Sequence, residues 1–179
     1  MKKSTVLLLW GGITAIACEA HRAILVWQGI SLSGWSYFNF LIFFLGLFVG
    51  IRQFRDKVNG GYLKFGKGYV FSLLMTSIVA IIGFISVIIT LKLVPDLGDR
   101  LINEMHIKFI NSGLSQDMID KMMPFYERAF TPNMIKVNSI IGNVFVGAIL
   151  GLIATGINTK KKPFMQEDDE LQGGEGMQS

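Results

Sequence analysis

The chain has 179 residues, of which 51% are hydrophobic and only 17% are charged, whereas a soluble domain of this length carries about 25% charged residues. The deficit comes from long uncharged apolar runs, which are typical of membrane spans rather than of one large soluble core. The single cysteine excludes an internal disulfide framework, and the net charge of +4 matters less than where the charges lie.

Four apolar runs are each long enough to cross a bilayer as a helix, which takes roughly 17 to 25 residues. They predict transmembrane helices over residues 6–30, 35–51, 69–93 and 137–157, of which the second is at the short end of that range. We therefore expect an all-α fold, an integral membrane four-helix bundle that forms a single membrane domain over residues 1–160.

The first run contains an unexpected cluster of ionisable residues, Glu19, His21 and Arg22. Glu19 and Arg22 are three positions apart, so they lie on one helix face and can pair, while His21 lies about 200° from Glu19 around the helix. Glu19 is roughly 20 Å into a hydrocarbon layer of about 30 Å, near the outer interface. We prefer a structural ion pair here, and the alternative is an intramembrane polar site for proton or ion transfer.

The segment MKKSTVLLLWGGITAIAC also resembles a bacterial lipoprotein signal, with Cys18 as the acylated first residue of the mature chain. However, the apolar run continues beyond Cys18 as AILVWQGI, whereas the apolar core of a signal peptide is short and is followed by polar sequence. Processing at Cys18 is therefore a second alternative for this part of the chain.

The connection between the third and fourth spans, residues 95–133, is too long for a turn and predicts two amphipathic helices. Ser115 can cap the second helix, which Pro124 is expected to kink or break. Together they predict an extracytoplasmic helical hairpin, whose apolar face either covers the bundle or the outer leaflet or forms an adaptable groove for a partner or lipid. The candidate contact residues are Met105, Ile119, Met122, Met123 and Tyr126.

Small and polar residues recur every four positions in two of the spans, where they allow helix backbones to approach closely. They are Gly46 and Gly50 in the second span, and Ser139, Asn143, Gly147, Gly151 and Thr155 in the fourth. We expect this fourth-span stripe to pack within the bundle, and a dimer face or a solute path is the alternative.

An excess of basic over acidic residues occurs on one side of the spans only, which sets the predicted orientation. The connection from Lys92 to Lys136, on the other side, holds six basic and six acidic residues and has no net bias. Basic residues precede the first span, follow the fourth, and dominate the connection from Arg52 to Lys67. Both termini and this connection are therefore predicted to be cytoplasmic, in a bacterial inner membrane. Topology explains these residues more simply than contact with anionic lipid headgroups does. The polar, acidic tail of residues 161–179 is expected to be disordered and cytoplasmic.

The sequence has no pattern typical of catalysis or of cofactor binding. Its two histidines are far apart, and metal-ligand spacing, a Gly-rich phosphate loop and a nucleophile motif are all missing from it. We therefore expect no enzymatic activity, no catalytic residue, no metal and no cofactor. The expected partners are the lipid bilayer and either another membrane protein or a second copy of the chain, with no nucleic acid.

The segment GGYLKFGKGYVFSLLMTSIVAIIGFISVIITLKLVPDLGDRL, followed by GLSQDMIDKM and a last span that ends in lysines, resembles a family of small bacterial membrane proteins. This family is domain of unknown function 4199, and the resemblance covers about residues 5–160. The FGKG turn, the VPD after the third span and the GLSQ helix start carry it. The resemblance implies a four-helix integral membrane protein with a helical insertion between the third and fourth spans, and it implies no activity.

These features favour a non-enzymatic role as a membrane scaffold or accessory subunit that acts through helix contacts and the hairpin. The alternative is a small transporter, or an ion- or proton-coupled membrane protein, that uses Glu19 and His21. A transport site predicts a polar cavity that reaches Glu19 and is lined by Asn143 or by hydroxyl groups of the third span. A scaffold predicts that Arg22 closes off Glu19 and that the stripe of Gly147 packs without a cavity.

Overall fold

Six α-helices and one 3-10 turn make up the part of the chain that the computed structural model describes, residues 2–160, and no β-strand occurs within that range. The 3-10 turn, Gly34–Tyr37, precedes the second helix. In chain order the helices are α1 (Lys3–Gln28), α2 (Phe38–Val58), α3 (Phe65–Leu93), α4 (Leu97–Asn111), α5 (Gln116–Ala129) and α6 (Pro132–Asn158). The predicted all-α fold is confirmed, whereas the expected disordered tail, residues 161–179, lies outside the described residues.

Four of these helices are long and apolar enough to cross a membrane: α1, α2 together with its 3-10 turn, α3 and α6. Only 22% to 33% of the most apolar stretch of each is buried inside the molecule, so most of their apolar side chains face outward. Ile16, Ile81 and Phe145, for example, are 61% to 66% exposed. An apolar surface of this extent is typical of helices in contact with lipid, and it supports a membrane protein.

The helices extend beyond the predicted apolar runs. α2 continues past Ile51 through RQFRDKV to Val58, and α3 begins at Phe65 rather than at Tyr69. α6 begins at Pro132, a residue that suits the first turn of a helix because its missing N–H would be unpaired there in any case. Hydropathy marks the lipid-facing part of a helix, and polar residues at either end can continue its backbone hydrogen bonds.

The main contacts join α3 to α6 and α1, and α2 to α1 and α6. Most buried apolar residues lie near the end of the molecule where α1 begins and α6 ends, which we call the core end. There the rings of Phe54 and Phe71 stack with centroids 4.1 Å apart. Leu63 and Lys160 exchange two backbone hydrogen bonds of 2.8 and 3.1 Å, which join the α2–α3 connection to the end of α6. The opposite end, which carries α4 and α5, is the insertion end.

The contact between α3 and α6 uses small and hydroxyl-bearing residues that recur every four positions in both helices. A Cβ atom added to Gly147 or Gly151 of α6 would collide with Thr76 or Ser72 of α3, respectively. A Cβ atom added to Gly68 of α3 would lie 2.8 Å from the Thr155 side chain of α6. Moving four residues forward along α6 therefore corresponds to moving four residues backward along α3, so the two helices are antiparallel with their small residues in contact. Such contacts are typical of close helix packing in membranes.

The insertion helices α4 and α5 pack against each other, with the Phe109 ring edge-on to the Tyr126 ring at 5.4 Å. A kink or a break was expected at Pro124, and the break is wrong, because α5 runs unbroken from Gln116 to Ala129. Proline removes a single backbone donor from the helix. The contact of Tyr126 with α4 lies just beyond Pro124 and holds the second half of the helix in place.

Candidate functional site

A cavity of about 490 Å³ lies at the insertion end, and residues from all six helices line it. Most of its wall is apolar, which is typical of sites that hold small molecules when a few polar groups converge on them. The apolar residues include Leu25, Phe43, Val87, Leu97, Leu101 and Val146. The polar residues include Glu19, His21, Arg22, Asn39, Ser86, Thr90, Asn138, Ser139 and Asn143.

Glu19 is the most deeply buried charged group that lines this cavity, since only 11% of its side chain is exposed. Its Oε1 atom lies 3.4 Å from Nη1 of Arg22, one turn further along α1, so the two residues form an ion pair. Neither carboxylate oxygen has a hydrogen-bond partner among residues 2–160, because Arg22 is at ion-pair distance without hydrogen-bond geometry. A buried carboxylate without hydrogen bonds is costly, so Glu19 lacks the partners that such a group normally has.

Asn143 of α6 approaches Glu19 across Gly83 of α3. A Cβ atom added to Gly83 would lie 2.9 Å from Nδ2 of Asn143 and 3.1 Å from Oε1 of Glu19. The missing side chain at Gly83 therefore leaves room for the two polar groups to converge. Nδ2 of Asn143 is buried and has no hydrogen-bond partner in the described part of the chain. An unpaired donor and an unpaired acceptor thus lie close together in the cavity wall.

His21 and Asn39 bring two more buried polar atoms to the cavity, Nδ1 of His21 and Oδ1 of Asn39, and neither has a partner within residues 2–160. Cys18, one turn before His21, lies against α2, with its Sγ atom 4.0 Å from the Asn39 carbonyl oxygen. Helical spacing puts His21 on the α2 side as well, away from Glu19, as we expected. The cavity nevertheless reaches both faces of α1, so two polar clusters line it.

The hydroxyl-bearing face of α3 forms a further part of the wall through Ser86 and Thr90. Thr90 Oγ1 donates a hydrogen bond of 2.9 Å to the Ser86 carbonyl oxygen, which leaves the hydroxyl oxygen of Thr90 able to accept another. No group of three or more His, Cys, Asp or Glu side chains that could hold a metal ion occurs among residues 2–160. The wall therefore offers hydrogen bonds and one carboxylate.

The insertion contributes to the cavity wall through apolar side chains of Leu97, Leu101 and Phe130. Two hydrogen bonds join α4 to the α1–α2 connection: the Leu32 N–H donates to Glu104 Oε2 at 2.8 Å, and Lys108 Nζ donates to the Leu32 carbonyl oxygen at 3.3 Å. Sequence analysis missed Glu104 and Lys108, because neither belongs to a motif that predicts a contact with residue 32. These bonds hold α4 in position beside the cavity.

The residues predicted for helix packing lie between the chain's own helices. A Cβ atom added to Gly46 of α2 would collide with Thr14 of α1, and one added to Gly50 would lie 2.6 Å from the end of the Met75 side chain of α3. Gly147, Gly151 and Thr155 pack on α3, while Ser139 lines the cavity. These glycines therefore pack against helices of the same chain and are not free to pack against a partner helix.

The five candidate contact residues of the insertion do not share one exposed face. Ile119 is buried, whereas Met122 is exposed. Two other apolar residues of α5 are exposed to a greater extent, Phe125 at 70% and Met118 at 54%. Met118 was expected as part of the possible groove, whereas Phe125 was missed. Their spacing of seven positions, which puts both on one face of α5, was the signal that could have found Phe125. The remaining three candidates are half-buried: Met105, Met123 and Tyr126.

Cys18, the candidate lipoprotein position, is a buried free thiol within the unbroken helix α1. Cleavage before Cys18 would remove Val6 and Ala15, which belong to the buried core. The packing of α1 therefore favours a chain that keeps this segment.

The family model described as "Protein of unknown function (DUF4199)" matches residues 9–160. The matched range contains the whole cavity wall and all of α2 to α6. No curated protein and no solved structure matches the chain. The functional argument therefore rests on the geometry of the cavity.

Proposed function

The chain belongs to the DUF4199 family, and for this member we propose the role of a multi-pass membrane protein that binds a small solute beside Glu19, as a small transporter or ion-coupled protein. One observation carries the proposal: a cavity of about 490 Å³ reaches a buried carboxylate whose oxygens have no hydrogen-bond partner in the described chain. An ionisable residue inside a span is more often functional than accidental, because its burial is costly.

The geometry agrees with a transport site better than with a closed ion pair. Asn143 and the α3 hydroxyl groups of Ser86 and Thr90 line the same cavity as Glu19. Arg22 stands beside Glu19 without a hydrogen bond to it and is itself 32% exposed. The cavity therefore stays open to Glu19 in the presence of its ion-pair partner.

The lining of the cavity favours a solute that carries a small ammonium group and a hydrocarbon part. Glu19 and the Asn39 amide oxygen are acceptors without partners among residues 2–160, and an ammonium group supplies several donors. Apolar side chains such as Phe43 and Val87 suit the hydrocarbon part. An alkylammonium ion would thus compete with Arg22 for the Glu19 carboxylate.

The proposed setting is a four-helix bundle in a bacterial inner membrane with both termini in the cytoplasm. The core end carries basic residues at the starts of α1 and α3 and the end of α2, whereas the α1–α2 connection at the insertion end has no charge between Gln28 and Gly34. Basic residues collect on the cytoplasmic side. In this orientation α4 and α5 form an extracytoplasmic hairpin, and the cavity lies in the outer half of the bundle.

Thermal unfolding of the purified protein in detergent, with butylammonium chloride as the probe and sodium chloride at equal concentration as the reference, tests the proposal. We expect butylammonium to raise the unfolding midpoint of the natural protein and not that of Glu19→Gln. Glu127→Gln is the matched control, because Glu127 is exposed on α5 and lies outside the cavity lining. An equal response of Glu19→Gln, or no response of the natural protein, contradicts the proposal. Uptake of the probe into proteoliposomes then separates transport from binding.

A second candidate function, a scaffold or accessory subunit, is supported by the exposed apolar face of α5. Phe125 and Met118 lie on this face, on the insertion rather than on a span. A photo-crosslinking residue at position 125 would then join the chain to a membrane-protein partner or a second copy, while the same residue at position 127, on the opposite face, would not. Equal products at both positions contradict this role.

A further inference from the structure

A second cavity, of about 390 Å³, lies at the core end, between the start of α1, the end of α2 and the start of α3. Two lysines from different helices line it, Lys3 of α1 and Lys67 of α3, together with Asn59 at the end of α2. Neither lysine forms an ion pair with a carboxylate of residues 2–160, and none of the acidic residues in this range lines the cavity. The cavity therefore carries a positive charge that the described chain does not neutralise.

Backbone donors at the start of α3 add to this charge. The first intrahelical bond there is from the Gly68 N–H to the Lys64 carbonyl oxygen, so the N–H groups of Phe65, Gly66 and Lys67 have no acceptor within the helix. α3 has no capping side chain and no acidic residue in its first turn. Gly66 and Lys67 line the cavity, which therefore receives the positive end of the helix dipole.

The side-chain amide of Asn59 is a third feature of this cavity, because it is a hydrogen-bond donor without an acceptor in the described chain. Its Nδ2 atom is buried, lies in a residue that lines the cavity, and has no hydrogen-bond partner among residues 2–160. A buried amide donor is normally paired, because leaving it unpaired costs free energy. An anion in the cavity would accept hydrogen bonds from Asn59 and from both lysines.

We propose that this cavity binds the phosphate group of an anionic phospholipid. Two ammonium groups, a free amide donor and an uncapped helix start are suited to phosphate. The apolar residues Val58 and Val70 also line the cavity, and Val70 is 54% exposed on the outer face of α3, where a lipid chain can lie. Topology alone explains lysines on this side of the membrane, and it does not explain why two of them converge with Asn59. This site is independent of the Glu19 cavity.

The test uses the full-length protein in nanodiscs of phosphatidylcholine, with or without phosphatidylglycerol, and measures the unfolding midpoint and the lipid retained in native mass spectrometry. We expect phosphatidylglycerol to raise the midpoint and to be retained. The double variant Lys3→Gln/Lys67→Gln should bind it about tenfold more weakly. Lys57→Gln/Lys92→Gln removes the same net charge outside the cavity and should bind it as the natural protein does.

Two further measurements identify the ligand and show whether a variant is folded. Asn59→Asp places a carboxylate at the free donor and should also lose the response to phosphatidylglycerol, while unfolding normally in phosphatidylcholine alone. Inorganic phosphate added to phosphatidylcholine nanodiscs should have little effect, and an equal effect would overturn the lipid as the ligand. A natural protein that does not respond to phosphatidylglycerol, or an equal response in all variants, would overturn the site.

Discussion

Glu19 of α1 and Asn143 of α6 meet across a single residue of α3, Gly83, and each has a buried polar atom without a hydrogen-bond partner in the described chain. Residues 124 positions apart in sequence thus form one polar cluster in the cavity wall. This cluster depends on the absence of a side chain at Gly83, since an added Cβ would lie within 3.1 Å of both polar groups.

Gly83→Ala is expected to change the cavity more than the stability of the fold. The added Cβ would meet only the ends of the Asn143 and Glu19 side chains, which can rotate away. We expect the free energy of unfolding to change by about 1 kcal/mol or less, while the response to butylammonium is lost. Thermal unfolding with and without the probe measures both. Gly12→Ala, where the added Cβ meets nothing within 4 Å, should keep the response.

Gly147→Ala is expected to destabilise the protein by about 1 to 3 kcal/mol, because its Cβ would collide with Thr76 and Phe43 in the packed interior. Gly156→Ala in the same helix has open space around its added Cβ and should be neutral or stabilising by up to about 1 kcal/mol. Equilibrium unfolding of both variants in mixed micelles gives the comparison. Equal losses would show that the glycine contacts do not determine the stability of the α3–α6 pair.

Arg22→Gln is expected to destabilise the protein more than Glu19→Gln does. Removing Arg22 leaves a charge that is 11% exposed without its partner, whereas removing the Glu19 charge leaves a guanidinium that is 32% exposed and can reach the interface. We expect a difference of about 1 to 2 kcal/mol in the free energy of unfolding, because partial exposure weakens the pair. The double variant should recover part of the loss. The reverse order of the single variants would contradict this account.

Glu104→Gln is expected to loosen α4 without unfolding the four long helices. The Leu32 N–H would have a weaker, uncharged acceptor in place of the carboxylate, and Lys108 would lose the neighbouring charge. Hydrogen exchange followed by mass spectrometry should show roughly tenfold faster exchange in residues 97–111 and unchanged exchange in α3. Asp99→Asn is the control on the same helix, since Asp99 is exposed and makes no hydrogen bond through its side chain in the described structure.

The intact mass of the membrane-extracted protein should be that of the full-length chain, with or without Met1. α1 is continuous through Cys18, and its first half contributes Val6 and Ala15 to the core. Cys18 is also 2% exposed, so a maleimide should modify it only after denaturation. A mass that lacks residues 1–17 and includes acyl chains would show that Cys18 is a lipid anchor and that the first span is removed.

The helices could be predicted from the sequence because hydropathy is a local signal. The pairing of Glu19 with Arg22 follows from helical spacing in the same way. Ser115 stands at the N-cap position of α5, as expected, but its side chain makes no capping hydrogen bond there. The α3 half of the α3–α6 contact was missed, although Ser72 and Thr76 stand four positions apart within an apolar run. The hydroxyl groups of the third span were expected to line a cavity, whereas Ser72 and Thr76 pack against the glycines of α6.

The shapes of the two cavities could not be predicted from local signals. Each depends on which helices are neighbours and on how far their ends separate, and these are long-range properties of the packed chain. The convergence of Asn143 with Glu19 needs the register of α6 on α3, and that of Lys3 with Lys67 needs α1 to begin beside the start of α3. For the first cavity, Glu19, Asn143 and the third-span hydroxyl groups were named from the sequence as the lining that a transport site would have. The second cavity was not predicted.

The two-residue bridge between Leu63 and Lys160 has a consequence for the α3–α6 contact. A pattern that repeats every four residues fits more than one alignment of the two helices. If α6 shifted along α3 by one repeat, about 6 Å, small residues would again face small residues. The contact therefore does not define its own alignment. A shift of this size would break the two backbone hydrogen bonds between Leu63 and Lys160 and the bond from Asn158 Nδ2 to the Phe48 carbonyl oxygen. These bonds therefore favour the observed alignment, in which Asn143 approaches Glu19.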